Sequence, residues 1–279
     1  MQDKIEKIGK GSLIQHGNLN QRIYLMKLDK EDGQSIIPEI NTLARKNKYT
    51  KIFCKVPLEM VPHFVANGFI AEAQIPAFYE GKESVFFMSK FLSSDRLLDI
   101  ESAHLEILSK LFNEFQPGST RSLAIQGDAD VTEMKAEDCV EMSEVFKKVF
   151  ESYPFPIHDP EYIKKTMENG VRYFGVRYNE KLVALASAET DQKSLNAEMT
   201  DFATLPEFRG KKYALLLLNN MEKQMKKDGI KTLYTIARLR SIGMNKTFLR
   251  LGYQFAGTAI KNTNISGKIE SMNIYYKHV

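Results

Sequence analysis

Three blocks of sequence recur in the same order in the two halves of the chain, and they constrain its fold more than any other feature. Lys48-Tyr49-Thr50-Lys51-Ile52-Phe53-Cys54-Lys55-Val56 parallels the segment Lys231 to Leu239, with a basic residue at both Lys55 and Arg238. Phe64-Val65-Ala66-Asn67-Gly68-Phe69 parallels Phe248-Leu249-Arg250-Leu251-Gly252-Tyr253, and Glu83 to Lys90 parallels Glu270 to Lys277. The offset drifts only from 183 to 187 residues. Chance likeness between α/β segments is one explanation; three blocks in one order favour a duplicated half-fold.

Around these blocks, strand-like and helix-like segments alternate. Residues 20–28 read as a strand, and residues 33–48 carry Ile36, Ile37, Ile40, Leu43 and Ala44 at helical spacing. Residues 51–56 read as a buried strand. A short helix flanked by Pro57 and Pro62 ends at Gly68, and the strands FIAEAQI and ESVFFMSK follow. A connecting helix is expected over 95–115. Gln116 to Arg121 clusters Pro, Gly, Ser and Thr, the composition of a linker, which divides the chain into domains 1–116 and 122–279. After it come a strand near Asp130 to Met134, a helix from Glu137 to Phe150, the loop SYPFPIHDP and a helix from Glu161 to Glu168. Three strands, a long helix from about Gly210 to Lys227, a strand, a helix and two strands complete the order. The expected class is α/β (α+β) with a mixed central sheet.

Composition excludes several functions. Charged residues make up 27% and hydrophobic residues 43%, ordinary globular usage rather than that of a disordered chain. The net charge of +4 comes from basic residues interleaved with acids, so no nucleic-acid partner is expected. Cys54 and Cys139 lie far apart in apolar patterns, and no Cys/His cluster has metal-ligand spacing, so no metal is expected. The polar start MQDKIEKIGKGS lacks a signal-peptide core, and the longest apolar runs are about five residues against the ~20 that span a bilayer. A cytoplasmic protein without a membrane partner is expected; a homodimer is left open.

The segment Thr200 to Ala214, TDFATLPEFRGKKYA, reads as strand, turn and helix N-terminus. Such a start presents backbone N–H groups without intrahelical acceptors at the positive end of the helix dipole. Gly210 lets a ligand approach the backbone, and Arg209, Lys211 and Lys212 add charge, a combination suited to pyrophosphate. A basic helix start facing solvent is the competing reading. Neither GxxxxGK[ST] nor GxGxxG is present.

The phrase Thr204-Leu205-Pro206-Glu207-Phe208-Arg209-Gly210-Lys211-Lys212-Tyr213-Ala214 resembles the phosphate-loop phrase of the Gcn5-related N-acetyltransferase (GNAT) superfamily. The element order after residue 130 and the block Phe248 to Tyr253 resemble that superfamily as well. The resemblance implies acetyl-CoA as co-substrate, its pyrophosphate held by Arg209, Gly210, Lys211, Lys212, Tyr213 and Ala214. It also implies that backbone N–H groups around Phe202, Ala203 and Thr204 grip pantetheine and polarise the thioester carbonyl. Ser241 or Asn245 would hydrogen-bond pantetheine. The family's frequent tyrosine acid falls at Phe248, which cannot donate a proton. The first half has no Arg-Gly-rich loop, so the resemblance makes it a degenerate GNAT-like half preceding a catalytic one.

Acetylating an amine requires loss of an ammonium proton with an ordinary pKa of about 10.4. Glu198 and Asp201, on the central strand, are the candidate bases, three residues apart and thus on opposite faces of a regular strand. The loop Tyr153-Pro154-Phe155-Pro156-Ile157-His158-Asp159 is the candidate acceptor wall: Tyr153 and Phe155 would cover an aliphatic stem, and His158 would assist. Arg238 or Arg240 would meet a substrate carboxylate. The phrases AEMTDFATLPEFRG, ARLRSIGMNKTFLRLGY, YPFPI, KIFCKVP and IPAFYEG extend the resemblance over both halves, to GNAT enzymes that acetylate the terminal (N6) amine of beta-lysine. That implies a small-molecule amine partner and a compatible-solute product. Another small amine, a protein lysine, or a non-catalytic acetyl-CoA-binding module stays open.

Overall fold

The structure, a computed structural model, describes residues 3–98, 101–115 and 130–279. The expected linker at 116–121, and with it the expected boundary, lies outside the described residues. The chain runs β1 (Lys4–Ile8), β2 (Ser12–Gly17), β3 (Arg22–Lys27), α1 (Ile36–Lys46), β4 (Lys51–Pro57), α2 (Val61–Ala66), β5 (Ile70–Tyr79) and β6 (Glu83–Phe91). Helices α3 (Ser94–Leu98) and α4 (Ser102–Glu114) follow. The second half runs β7 (Val131–Glu133), α5 (Cys139–Val149), α6 (Pro160–Glu168), β8 (Val171–Tyr178), β9 (Lys181–Asp191), β10 (Asn196–Thr204), α7 (Tyr213–Lys227), β11 (Thr232–Arg238), α8 (Ile242–Arg250), β12 (Gln254–Ile265) and β13 (Lys268–His278).

Among the described residues thirteen strands form one sheet, in the order β1-β2-β3-β4-β6-β5-β12-β13-β11-β10-β9-β8-β7. It is mixed, as expected: β3 and β4 pair in parallel, as do β10 and β11, and every other pair is antiparallel. The run β1 to β6 and the run β8 to β13 have the same order and the same directions. Strands β1 and β2 are additions to the sequence reading, whose first element was the strand at residues 20–28. The hairpin's polar side chains are buried as partners: His16 bonds Tyr49 and Glu6, and Gln15 bonds Pro154.

Each half buries its own helix. In the first, α1 sets Ile36, Ile37, Ile40 and Ala44 against Ile23, Leu25, Ile52 and Cys54. In the second, α7 sets Leu217, Leu218, Met221 and Met225 against Val183, Ala186, Ala197 and Met199. A third cluster belongs to both halves, with Tyr24, Phe53, Phe78 and Phe87 packing on Tyr234, Met272 and Ile274. The halves therefore share apolar core as well as a sheet.

The seam between β5 and β12 depends on close approach. Gly257, at φ +149°, pairs with Ala73, and a Cβ there would lie 2.1 Å from the Glu72 carbonyl oxygen. Beyond it the β12 ladder with β13 is interrupted between Ala259 and Thr263. Backbone carbonyls in such a gap need other donors. Three cations of the first half supply them: Lys51 Nζ donates to Ile260 at 2.7 Å, Arg96 Nε to Lys261 at 2.8 Å, and an Arg22 terminal nitrogen to Asn262 at 2.5 Å. Among the described residues no helix is long and apolar enough to cross a membrane.

Candidate active site

Strands β10 and β11 pair only at Asn196 to Glu198 with Thr232 to Tyr234, then part. On its other side β10 stays on β9, but its register shifts between Thr200 and Ala203. The extra residue forms a bulge, with Asp201 at φ +54°. A regular strand would point Glu198 and Asp201 to opposite faces; the bulge resets the alternation, and both line one cleft of about 670 Å³. The edge of β10 past Glu198 has no strand partner on the β11 side. Phe202 and Thr204 line the cleft there, facing Thr235, Ile236, Ala237 and Arg238 of β11. Ala203 is buried opposite Leu185 and turns only its backbone to this edge.

The cleft reaches the start of α7. The helix begins at Tyr213, three residues later than its periodicity suggests, because Gly210 (φ +82°) and Lys212 (φ +65°) take left-handed conformations. No side chain caps it. Its first backbone N–H groups thus keep free hydrogens, and Arg209, Gly210, Lys212, Tyr213 and Ala214 all line the cleft. Lys211 departs from expectation: its ammonium lies 5.0 Å and 4.9 Å from the ring centroids of Tyr178 and Phe208, and the residue is outside the cleft lining. The corresponding loop of the first half, between β3 and α1, is acidic. There Asp32 accepts from the backbone of Lys10, Gly11 and Ser12 and from the Ser12 hydroxyl. Burial acts against ionisation, yet these bonds bring its carboxyl down to about 2. An anionic helix start cannot hold pyrophosphate.

The two carboxylates are held differently. Asp201 accepts from the Tyr153 hydroxyl at 2.7 Å and from Ser187 Oγ at 2.6 Å. Burial raises its pKa, and these two bonds oppose the rise. Glu198 is likewise raised by burial and opposed by Lys55 and a hydrogen bond to Tyr234. Lys55, from the first half, donates to the Tyr234 hydroxyl at 3.2 Å. Directly across from Glu198 on β9 lies Glu189, raised by burial and by the neighbouring charges of Glu198 and Asp201.

The Glu189 shift has a stability consequence. A raised folded-state pKa means that the native state holds its proton more tightly than the unfolded chain. Stability then falls as pH climbs from the ordinary carboxylate value through the raised one. Glu189→Gln is expected to be more stable than wild type at pH 8, by about 1 kcal/mol, with the two melting curves converging toward pH 4. A variant less stable than wild type at pH 8 would show instead that Lys55 overcompensates the buried charge.

The cleft wall that includes the expected acceptor loop is assembled from both halves. Tyr153, Pro154 and Phe155 line the cleft, and so do Arg22 and Tyr24 of β3. The wall loop is pinned: Gln15 Nε2 donates to the Pro154 carbonyl at 2.9 Å, and Gly267, at the β12–β13 turn, donates to Ser152 Oγ at 3.1 Å. His158 does not join it. It turns toward the end of α5, where burial lowers its pKa against hydrogen bonds to the Phe150 and Phe146 backbone. Asn245 is also withdrawn. Fully buried, it donates to the carbonyls of Arg238, Leu239 and Ser241 and accepts from Asn273 and Tyr275. It fixes the β11–α8 turn, while Ser241 lines the cleft. Arg238 lines the cleft too, but its guanidinium makes a two-pronged pair with Glu270 at 2.9 Å and 2.7 Å. Arg240 pairs with Glu101. Phe248 is 1% exposed and packs among Phe202, Tyr253 and Tyr275, so its slot is part of the core. Sequence reasoning missed Arg22, Tyr24, Glu189 and Tyr234, and used Lys55 only as a marker of the repeat; the repeat signal could have directed attention to β3 and β4.

Comparison with known proteins places this geometry. The Acetyltransferase (GNAT) family matches residues 139–253. The chain is 40% identical over 266 residues to a beta-lysine N(6)-acetyltransferase of Methanococcus maripaludis, covering 95% of this chain and 96% of that protein. It is 30% identical to a beta-lysine N(6)-acetyltransferase of Methanosarcina mazei, covering 87% and 96%. It is also 30% identical to the N-acetyltransferase YodP of Bacillus subtilis, over the full length of both.

Proposed function

The chain belongs to the GNAT acetyltransferase family, and from that premise we propose that it transfers the acetyl group of acetyl-CoA to the terminal N6 amine of beta-lysine. One observation carries the acceptor: similarity to two beta-lysine acetyltransferases runs through both halves, including the first half that supplies part of the cleft wall. Acetyl-CoA would lay its pyrophosphate on the backbone of Arg209 to Ala214 and its pantetheine along the open edge of β10. The first half, with the same strand order but an acidic loop in place of the phosphate loop, acts as a degenerate copy that shapes the acceptor end.

In this reading Glu198 takes the proton from the N6 ammonium. Burial holds its pKa up, toward a value that suits a base at neutral pH, while Lys55 and Tyr234 keep it ionisable. Asp201 holds the Tyr153 hydroxyl and so fixes the aromatic wall over the acceptor stem. The neutral amine attacks the thioester carbon, N–H groups of the β10 edge stabilise the oxyanion, and as the C–S bond breaks the nitrogen gives its second proton to solvent while CoA leaves as thiolate. Phe248 supplies no proton, so thiolate protonation falls to solvent. Acetylation turns an acceptor of net charge +1 into one of net charge zero, a neutral product suited to accumulation as a compatible solute in osmoadaptation.

The test is thiol release from acetyl-CoA with beta-lysine, alpha-lysine, spermidine and a lysine-containing peptide. Beta-lysine is expected to give a kcat/KM at least about tenfold above the others, the scale on which small apolar and polar contacts discriminate substrates. Faster turnover of the peptide or spermidine would overturn the acceptor assignment.

A further inference from the structure

Arg22 is a buried cation whose charge has no acid of its own. It is 3% exposed, and among the described residues no carboxylate lies within ion-pair distance. One terminal nitrogen donates to the Asn262 carbonyl and to Thr263 Oγ1 at 3.0 Å, and the other reaches Gln15 Oε1 at 3.4 Å. Its Nε has no partner. Two further buried polar atoms beside it are likewise unsatisfied, the Tyr24 hydroxyl and Asn262 Oδ1. All three residues line the cleft. Of the other two cations that tie the halves together, Lys51 is neutralised by Glu72 at 2.7 Å, and Arg96 lies outside the cleft lining.

Buried polar groups left without partners are rare and need a reason. Here a donor cation, a hydroxyl and an acceptor amide border one cavity. The guanidinium sits 5.2 Å from the Tyr24 ring centroid, and the Lys55 ammonium sits 5.9 Å from the same ring. The Tyr24 ring thus borders both Arg22 and the Lys55–Tyr234–Glu198 cluster. Burial brings the Arg22 guanidinium down to about 10, as desolvation of an unmatched cation should.

We propose that Arg22, contributed by the first half, receives the carboxylate of the acceptor, with the Tyr24 hydroxyl as a second donor and Asn262 Oδ1 accepting from the 3-ammonium group. The acceptor class is an amino acid with a second, terminal amine, its head at Arg22 and its tail at Glu198. The inference rests on the acetyl-transfer reading of this cleft, and it gives the first half a direct part in specificity.

The experiment compares beta-lysine with 1,4-diaminopentane, which is beta-lysine without its carboxylate. Wild type is expected to favour beta-lysine by about 10²-fold in kcat/KM, and Arg22→Gln to collapse that preference to within about threefold, chiefly through KM for beta-lysine. Because Arg22 also supports a backbone carbonyl, Asn262→Asp provides a second route. It places an internal carboxylate beside Arg22, which should compete with the substrate and reduce the preference while the cation and the fold are retained. Equal proportional losses on both amines in both variants, or a wild type that prefers the diamine, would overturn the inference while leaving acetyl transfer standing. If alpha-lysine replaces beta-lysine as best acceptor, the beta-lysine assignment fails, and alpha-lysine against 1,5-diaminopentane tests Arg22 in the same way. If no amine is acetylated, the reading of function falls and Arg22 falls with it.

Discussion

Glu198→Gln is expected to lower kcat/KM for beta-lysine by about 10²–10⁴-fold at pH 7, the usual worth of a positioned general base. The glutamine keeps the shape of the side chain and its contact with Tyr234 but cannot take a proton. The loss should shrink as pH rises, because solvent then delivers neutral amine and less proton removal is asked of the enzyme. In wild type the acidic limb of the pH–rate profile should lie above the ordinary carboxylate range, since burial raises Glu198, and that limb should vanish in the variant. Asp201→Asn should cost less and act mainly on KM, because a neutral amide with one acceptor oxygen holds Tyr153 and Ser187 less firmly than the carboxylate does. The reverse pattern would exchange the two roles. Full activity of both variants from pH 6 to 9 would leave neither carboxylate as the base.

The second large effect is expected at the phosphate loop. Gly210→Asp should weaken acetyl-CoA binding by about 10²-fold or more, because it sets a negative charge against pyrophosphate at a helix start. A Cβ at Gly210 meets no protein atom within 4 Å, so the substitution is not opposed by packing. What it does meet is a φ of +82°, which strains any L residue by about 1–3 kcal/mol. Gly210→Ala separates the two contributions: it carries the strain without the charge and should lose stability but keep affinity within about tenfold. Calorimetric titration with acetyl-CoA reads both variants, and near wild-type affinity for the aspartate variant would remove pyrophosphate from this loop.

Much of the second half was legible because its elements are strongly periodic and bounded by Gly and Pro. The α7 pattern, the turn before it and Phe248 in a position unable to donate a proton could all be read from residue order. The bulge in β10 could not. A period of two places Glu198 and Asp201 on opposite faces, and only the pairing with β9 shows the extra residue that brings them together. Strands β1 and β2 were hidden for a related reason. SLIQHG and the residues around it carry Gln, His, Asn and Arg, types that usually face water, and here they are buried because partners elsewhere in the chain satisfy them. Arg22 was hidden the same way, since nothing in NQRIYLMKL marks the arginine as buried. His158 and Asn245 erred in the opposite direction: both types suit a site, but His158 is turned to the end of α5, and Asn245 is spent on the backbone carbonyls of the β11–α8 turn.

The arrangement of the two halves gives the cleft its chemistry. The second half holds the Arg209–Ala214 loop, the open edge of β10 and both candidate bases, while the first half brings Lys55 to Glu198 and Arg22 to the cleft wall. The central claim is therefore positional: the acceptor is held with its terminal amine at the thioester. The most direct measurement is the site of acetylation, read by two-dimensional NMR on the product of purified protein, acetyl-CoA and beta-lysine. The account predicts acetyl on N6, with the 3-amine free. Acetyl on the 3-amine, or a mixture of the two, would contradict it.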